Sequence, residues 1–110
     1  MDWITLDAEA QLDALIAKSF EVPQVIFKHS TRCSISIMAK NRLERSEPPA
    51  GISFHYLDLL TYRPLSNLIA EKLSVYHQSP QLMLIKNGNC VYEETHSAID
   101  MEELTAQLHH

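Results

Sequence analysis

Asn87-Gly88 stands between two apolar runs, residues 81–86 and 90–95, and constrains this chain more than any other dipeptide in it. Both positions of a two-residue hairpin turn need positive φ, which glycine adopts freely and asparagine more readily than most residues. The two runs are therefore expected to pair antiparallel. The rest of the sequence alternates between two periodicities. Ala8, Leu12, Leu15 and Ile16 recur at helical spacing over residues 7–18, with Thr5 or Asp7 as the expected N-cap. Pro23 ends that pattern, and Val25-Ile26-Phe27 reads as a short strand covered on both faces. A second helix takes its apolar stripe from Ile35, Ile37, Met38, Ala39 and Leu43. After a loop over 46–51, residues 52–58 alternate with period two, as a strand does. Pro64 suits the first turn of a third helix, with Leu65, Leu68, Ile69 and Leu73 on its buried face and an end near Ser74. Ser97, with Asp100 three residues on, is expected to cap a last helix that buries Met101, Leu104 and Leu108.

The element order is then α-β-α-β-α-β-β-α. A β-α-β unit closes right-handed with its strands parallel, and a hairpin and helix after it complete an α/β architecture. The expected result is a four-stranded mixed sheet flanked by helices, the thioredoxin-like fold. No repeat or compositional shift divides the 110 residues, so a single domain over 1–110 is expected. No apolar run approaches the roughly 18 residues of a membrane span. A net charge of −5 argues against a duplex nucleic-acid binder, which needs many phosphate contacts. Met1 to Asp7 has neither the basic start nor the apolar stretch of a secretory leader, which makes the cytoplasm the expected compartment.

The overall sign hides a local one. Between positions 28 and 45 stand five of the nine basic residues, Lys28, Arg32, Lys40, Arg42 and Arg45, against Glu44 alone, a net charge of +4. Cys33 falls in this stretch, where the strand gives way through Ser30-Thr31-Arg32 to a helix. The first amides of a helix lack internal partners and carry partial positive charge, so a thiolate there gains hydrogen bonds and a favourable field. Such places, with a cation like Arg32 alongside, bring a thiol from about 8.5 toward neutrality or below, and the thiolate is the reactive form. Ser36, three residues on, has a hydroxyl to offer the sulfur but no sulfur of its own, so the expected chemistry is monothiol. The fold also calls for a proline, usually in cis, just before its third strand and against the nucleophile's helix. Ser79-Pro80-Gln81 stands there.

Phe27-Lys28-His29-Ser30-Thr31-Arg32-Cys33-Ser34-Ile35-Ser36, followed by Ser79-Pro80-Gln81 and Lys86-Asn87-Gly88, resembles the monothiol bacilliredoxins in motif order, spacing and length over nearly the whole chain. The resemblance implies a thioredoxin fold, a role in the bacillithiol system, and Cys33 as the nucleophile that removes bacillithiol from mixed disulfides on proteins. Cytoplasmic S-thiolated proteins would be the partners and bacillithiol, or another small thiol, the co-substrate. No bound cofactor is needed. That family usually has proline directly after the cysteine. Ser34 stands here instead, leaving an amide free to meet the sulfur while altering loop stiffness and partner choice. The Cys33 thiolate would attack the small thiol's sulfur, release the protein cysteine and hold the small thiol as its own mixed disulfide until a second small thiol frees it. Arg32, Ser34, Ser36, Ser79 and Pro80 are expected to stabilise the thiolate and line the groove, with basic residues drawing in the small thiol's carboxylates.

The other reactive types read more plainly. Cys90 begins the strand after the Asn87-Gly88 turn, about 20 Å from Pro80 by strand length, and is expected to be structural rather than a resolving thiol. His29, at a strand end, reads as a hydrogen-bonded structural imidazole. Lys40, Arg42 and Arg45 read as the solvated face of their helix, and Glu93-Glu94 and Glu102-Glu103 as exposed acids without a specific role. The six histidines are scattered, no thiol or histidine pair has zinc-ligand spacing, and no metal site is expected. The closing His109-His110 pair is either native or the first of an added tag. Two rival readings remain: a monothiol glutaredoxin-like carrier that holds an iron–sulfur cluster between subunits, and a thioredoxin-like adaptor in which Cys33 does no chemistry.

Overall fold

The computed structural model describes residues 1–109; His110, half of the closing pair, lies outside them. The chain runs β1 (Trp3–Thr5), α1 (Glu9–Lys18), β2 (Gln24–His29), α2 (Ser34–Arg45), β3 (Ser53–Asp58), α3 (Arg63–Leu73), β4 (Gln81–Lys86), β5 (Asn89–Thr95), a 3₁₀ turn (His96–Ala98) and α4 (Met101–Gln107). The strands form one mixed sheet in the order β1-β3-β2-β4-β5. β2 and β3 are parallel, as a helical crossover requires, and β4 pairs antiparallel with both β2 and β5.

β2 lies at the centre and is buried on both faces, which explains its unbroken Val25-Ile26-Phe27 run. Its successive side chains alternate between two cores. Ile26 joins Leu57, Met83 and Ile85 beneath Leu12, Leu15, Leu65 and Ile69 of α1 and α3. Val25 and Phe27 join Phe54, Leu82 and Leu84 beneath Ala39 and Leu43 of α2 and Met101 and Leu104 of α4. Among the described residues no helix is long and apolar enough to cross a membrane.

Four expectations need correction. The sheet has five strands, because Trp3–Thr5 adds to the outer edge of β3 with Trp3 opposite Phe54. The Trp3 ring packs on Phe27, Phe54 and Tyr56, and its Nε1 donates to Glu44 of α2 at 2.9 Å, so one tryptophan fixes a strand too short to show a period. Thr5 is thereby a strand residue, and neither it nor Asp7 caps α1. Ala8 is the cap residue, and Gln11 Oε1 accepts from the amides of Asp7 (2.7 Å) and Ala8 (3.0 Å) from inside the helix. The last helix is capped not by Ser97, which lies in the 3₁₀ turn, but by Asp100, whose carboxylate accepts from the Glu103 amide at 3.2 Å. On α2, Ile35, Ile37 and Met38 are not buried: they are 47, 42 and 60% exposed, and the inward face consists of Ser36, Ala39 and Leu43.

The hairpin is as expected, with Asn87 at φ 52° and Gly88 at φ 80°. It docks on the end of α1. The Ser19 carbonyl accepts from the Asn87 amide at 3.0 Å and the Ser19 hydroxyl accepts from the Gly88 amide at 2.9 Å. The Phe20 ring covers Gly88 so closely that a Cβ there would lie 2.7 Å from it.

Candidate functional site

β2 ends at His29, and the loop after it delivers Cys33 as the N-cap residue of α2, in extended backbone with φ −98° and ψ 120°. The Cys33 amide donates to the Ser30 carbonyl at 3.2 Å, which folds the loop back on itself. The first helical bond runs from the Ile37 amide to the Cys33 carbonyl at 3.0 Å, so the amides of Ser34, Ile35 and Ser36 precede it and have no helical partner. No acid stands in the first turn. The Cys33 thiol is free, partly exposed, and makes no capping bond of its own. The sulfur thus sits at the positive end of a helix dipole with access to solvent.

Lys28 lies opposite Gln81 in the β2–β4 ladder, so Pro80 enters β4 at the same end of the sheet where β2 leads to Cys33. The Ser79-Pro80 bond is cis. Pro80 is buried and Ser79 partly so, with a buried hydroxyl that finds no partner among the described residues. The Pro80 carbonyl accepts from the His96 amide at 3.3 Å. Arg42 of α2 donates in turn to the carbonyls of His96 (3.1 Å) and Ile99 (3.2 Å), tying Cys33's helix to the segment whose His96 amide holds the Pro80 carbonyl. Arg32 and Ser34 are exposed beside the cysteine.

The expected hydrogen bond from Ser36 to the sulfur is not present. Ser36 is fully buried, and its hydroxyl accepts from the Ser30 amide at 3.0 Å and meets Nδ1 of His29 at 2.6 Å. An inward residue of the first turn faces the sheet rather than the solvent-side cap, and there its hydroxyl is held by the Ser30 amide and the imidazole beneath it. His29 is itself buried, between the rings of Phe27 and Tyr56. Burial above all, reinforced by the Lys40 ammonium, holds its pKa below the ordinary histidine value.

On the opposite face of the sheet, Lys28 is equally buried. Its Nζ donates to the Ser66 carbonyl of α3 at 3.0 Å and lies 3.2 Å from Nδ1 of His77, which Ser66 Oγ also approaches at 3.1 Å. Burial pushes the Lys28 ammonium down to about 8, with the Glu93 carboxylate opposing part of the fall. Gln81, Lys28's cross-strand neighbour, donates to the Tyr76 carbonyl at 2.9 Å and to Glu93. This cluster fixes the segment between α3 and Pro80 from below. Sequence reasoning missed it; the signal was the strand itself, since extending β2 to His29 buries residue 28 whatever its charge.

The local excess of positive charge is largely spent inside the fold. Lys28 is buried, Lys40 pairs with Glu44 at 2.9 Å and lies over the Trp3 and Tyr56 rings, and Arg42 is bound as described. Lys40 and Arg42 are therefore not a solvated face. Arg32 and Arg45 are the exposed cations of the stretch, and Arg32 is the one next to Cys33. Glu93, expected to be idle, is engaged by Gln81. Cys90 stands opposite Ile85, at the far end of β4 from Pro80, and packs against the α1–α3 core. Burial pushes its thiol up to about 11. Among the described residues no three histidines, cysteines or acids converge as a metal would need.

The model of a protein family described as monothiol bacilliredoxin BrxC matches residues 4–104 of this chain. Among solved structures, a protein described as a candidate oxidoreductase with a thioredoxin fold is similar at 30% identity and TM-score 0.80, over 98% of this chain and 94% of that one. A redox protein from Chlamydomonas reinhardtii matches at 23% identity and TM-score 0.75; this chain corresponds to 34% of its length and is itself covered over 97%. Oxidised thioredoxin O2 from Arabidopsis thaliana matches at 22% identity and TM-score 0.68, over 97% and 91% of the two chains. The last two likenesses speak to the fold.

Proposed function

Because this chain belongs to the monothiol bacilliredoxin family, we propose that it removes bacillithiol, or a similar small thiol, from mixed disulfides on cytoplasmic proteins, with Cys33 as its nucleophile. Family and fold together mark it as a redox thiol protein. The observation that carries the finer reading is the placement of Cys33: a free, partly exposed thiol at the head of α2, below three amides without helical partners and at the sheet end that holds Pro80.

The step is a thiol–disulfide exchange. The Cys33 thiolate forms a bond to the small thiol's sulfur, the existing S–S bond breaks, and the protein cysteine leaves as a thiolate that takes a proton from solvent. A second small thiol, as thiolate, then attacks the Cys33 mixed disulfide and regenerates the enzyme, leaving a symmetrical small-molecule disulfide. Ser36 replaces a second cysteine, so no internal disulfide competes with this second step. Arg32 is the guanidinium available to the small thiol's carboxylates, while Ser34, Ser79 and Pro80 border the sulfur's end of the sheet.

One protein substrate, prepared in bacillithiolated and in glutathionylated form, tests this. Wild-type protein is expected to release bacillithiol faster than glutathione, and Cys33→Ala to release neither above background. Equal release by the two proteins would end the proposal, and a preference for glutathione would reassign the small thiol.

A further inference from the structure

His77 is an exposed residue, yet one of its ring nitrogens is held from inside the protein. The buried Lys28 Nζ lies 3.2 Å from Nδ1, and the Ser66 hydroxyl reaches the same atom at 3.1 Å. The cation sets the direction of the first contact: an ammonium has three N–H donors and no lone pair, so Nδ1 accepts. At neutral pH Lys28 is still an ammonium, since burial brings it down only to about 8. Nδ1 is then bare, and the neutral ring carries its proton on Nε2. Lys28 is itself anchored, because its Nζ also donates to the Ser66 carbonyl of α3 at 3.0 Å.

We propose that His77 is a positioning residue for the segment between α3 and β4: the neutral ring latches residues 74–80 to Lys28, and the protonated ring lets go. This goes beyond thiol exchange and does not depend on Cys33 being the nucleophile. A proton from solvent goes to Nδ1, the bare nitrogen, and occupies the lone pair that accepts from Lys28. Two cations then face each other at 3.2 Å with no acceptor between them. The Ser66 hydroxyl oxygen is within reach of the new N–H, but turning to it keeps the imidazolium beside the ammonium. His77 is on the surface, so the ring turns to solvent while Lys28 stays on the Ser66 carbonyl. Loss of the ring proton reverses the change. Ser79 and Pro80 close this segment at the sheet end where β2 leads to Cys33, so the latch sets how firmly one border of the candidate site is held.

The surroundings of the ring act against its protonation. Partial burial lowers its pKa most, followed by the Lys28 ammonium of β2 and the Arg63 guanidinium at the head of α3. Ser66 of α3 is uncharged, and Glu93 of β5 acts on Lys28 and engages Gln81 of β4. The transition therefore falls on the acid side of 6.5, and the latch is closed at neutral pH. A second tie is present in either state, from Gln81 Nε2 to the Tyr76 carbonyl at 2.9 Å. Opening the latch thus loosens the segment without detaching it.

The test reads the ring and the segment together. Ring nitrogen shifts of His77 and nitrogen-15 relaxation of the amides of residues 75–79 are followed from about pH 4.5 to about pH 8. In the wild-type protein the backbone order parameters are expected near the rigid value of about 0.85 above the His77 transition, and to fall toward about 0.6 below it. His77→Asn keeps a side-chain acceptor and does not titrate, so the segment stays rigid throughout. His77→Ala has no acceptor, and the segment is mobile at every pH. Lys28→Met removes the donor, so the His77 transition moves up toward 6.5 and the segment is mobile at neutral pH. A proton on Nδ1 at neutral pH overturns the proposal. So do order parameters that stay level across the His77 transition, or a fall that persists in His77→Asn. None of these readings involves a sulfur. A failed release assay with a working latch sinks the exchange reaction alone, and a failed latch with normal release sinks only the assignment of His77.

Discussion

Cys33 and Cys90 are both partly exposed, yet their surroundings are opposite in kind. Cys90 lies on a strand with its sulfur against the α1–α3 core and donating to the Tyr92 carbonyl at 3.4 Å. Burial and the nearby Glu93 both favour its protonated form. Cys33 lies at a helix head among unpartnered amides, with no acid in the first turn and Arg32 beside it. Solvent contact is thus a poor guide to thiol chemistry. What differs is whether the groups facing the sulfur are donors or a low-dielectric wall.

The sharpest way to break this contrast is to remove each sulfur in turn. Near pH 7, Cys33→Ala is expected to slow alkylation of the native protein by about 100-fold or more, and Cys90→Ala to change it less than about twofold; the reverse pattern would exchange the two assignments. A second variant asks whether the hairpin end serves only stability. Gly88→Ala places a side chain at φ 80° and should cost about 1–2 kcal/mol in urea unfolding. The exposed Phe20 ring can swing clear, so strain and not the clash sets the size. Cys33 alkylation should stay unchanged, and a slower rate would show that the two ends are coupled. The smallest effect is in pH dependence. Folded Cys90 keeps its proton up to about 11, whereas the unfolded thiol begins to lose it near 9.0, so folding is weakened as pH rises through that window. Lys28 acts in the opposite sense: its folded value of about 8 against 10.5 makes stability rise with pH over an overlapping range. The difference between wild type and Cys90→Ala isolates the thiol, and it should widen in favour of the variant as pH passes 9; a constant difference would remove the burial argument.

The two-period pattern, the hairpin dipeptide and the helix-head cysteine were all legible because each is local: a few neighbouring residues fix the backbone. β1 was not, since its three residues are held by Trp3 packing on residues more than twenty positions away. The face of α2 was misjudged because apolar spacing normally marks burial, whereas Ile35, Ile37 and Met38 sit on the outer side of the helix that Cys33 heads. Lys28 and His29 were hidden by their polarity. A central strand buries what it contains, and here it buries a lysine on one face and a histidine on the next, each held by a serine of the helix above it.

The position of β2 between β3 and β4 has a kinetic corollary. The strand that launches the nucleophile must be paired on one side with residues 53–58 and on the other with 81–86, so most of the chain has to be in register before the 30–33 turn is held. In a newly made or partly unfolded copy, the thiol at position 33 has neither the helix head nor the folded loop that surround it in the native structure. Those surroundings are acquired together with the native topology, so the candidate site assembles with the fold rather than from neighbouring residues alone.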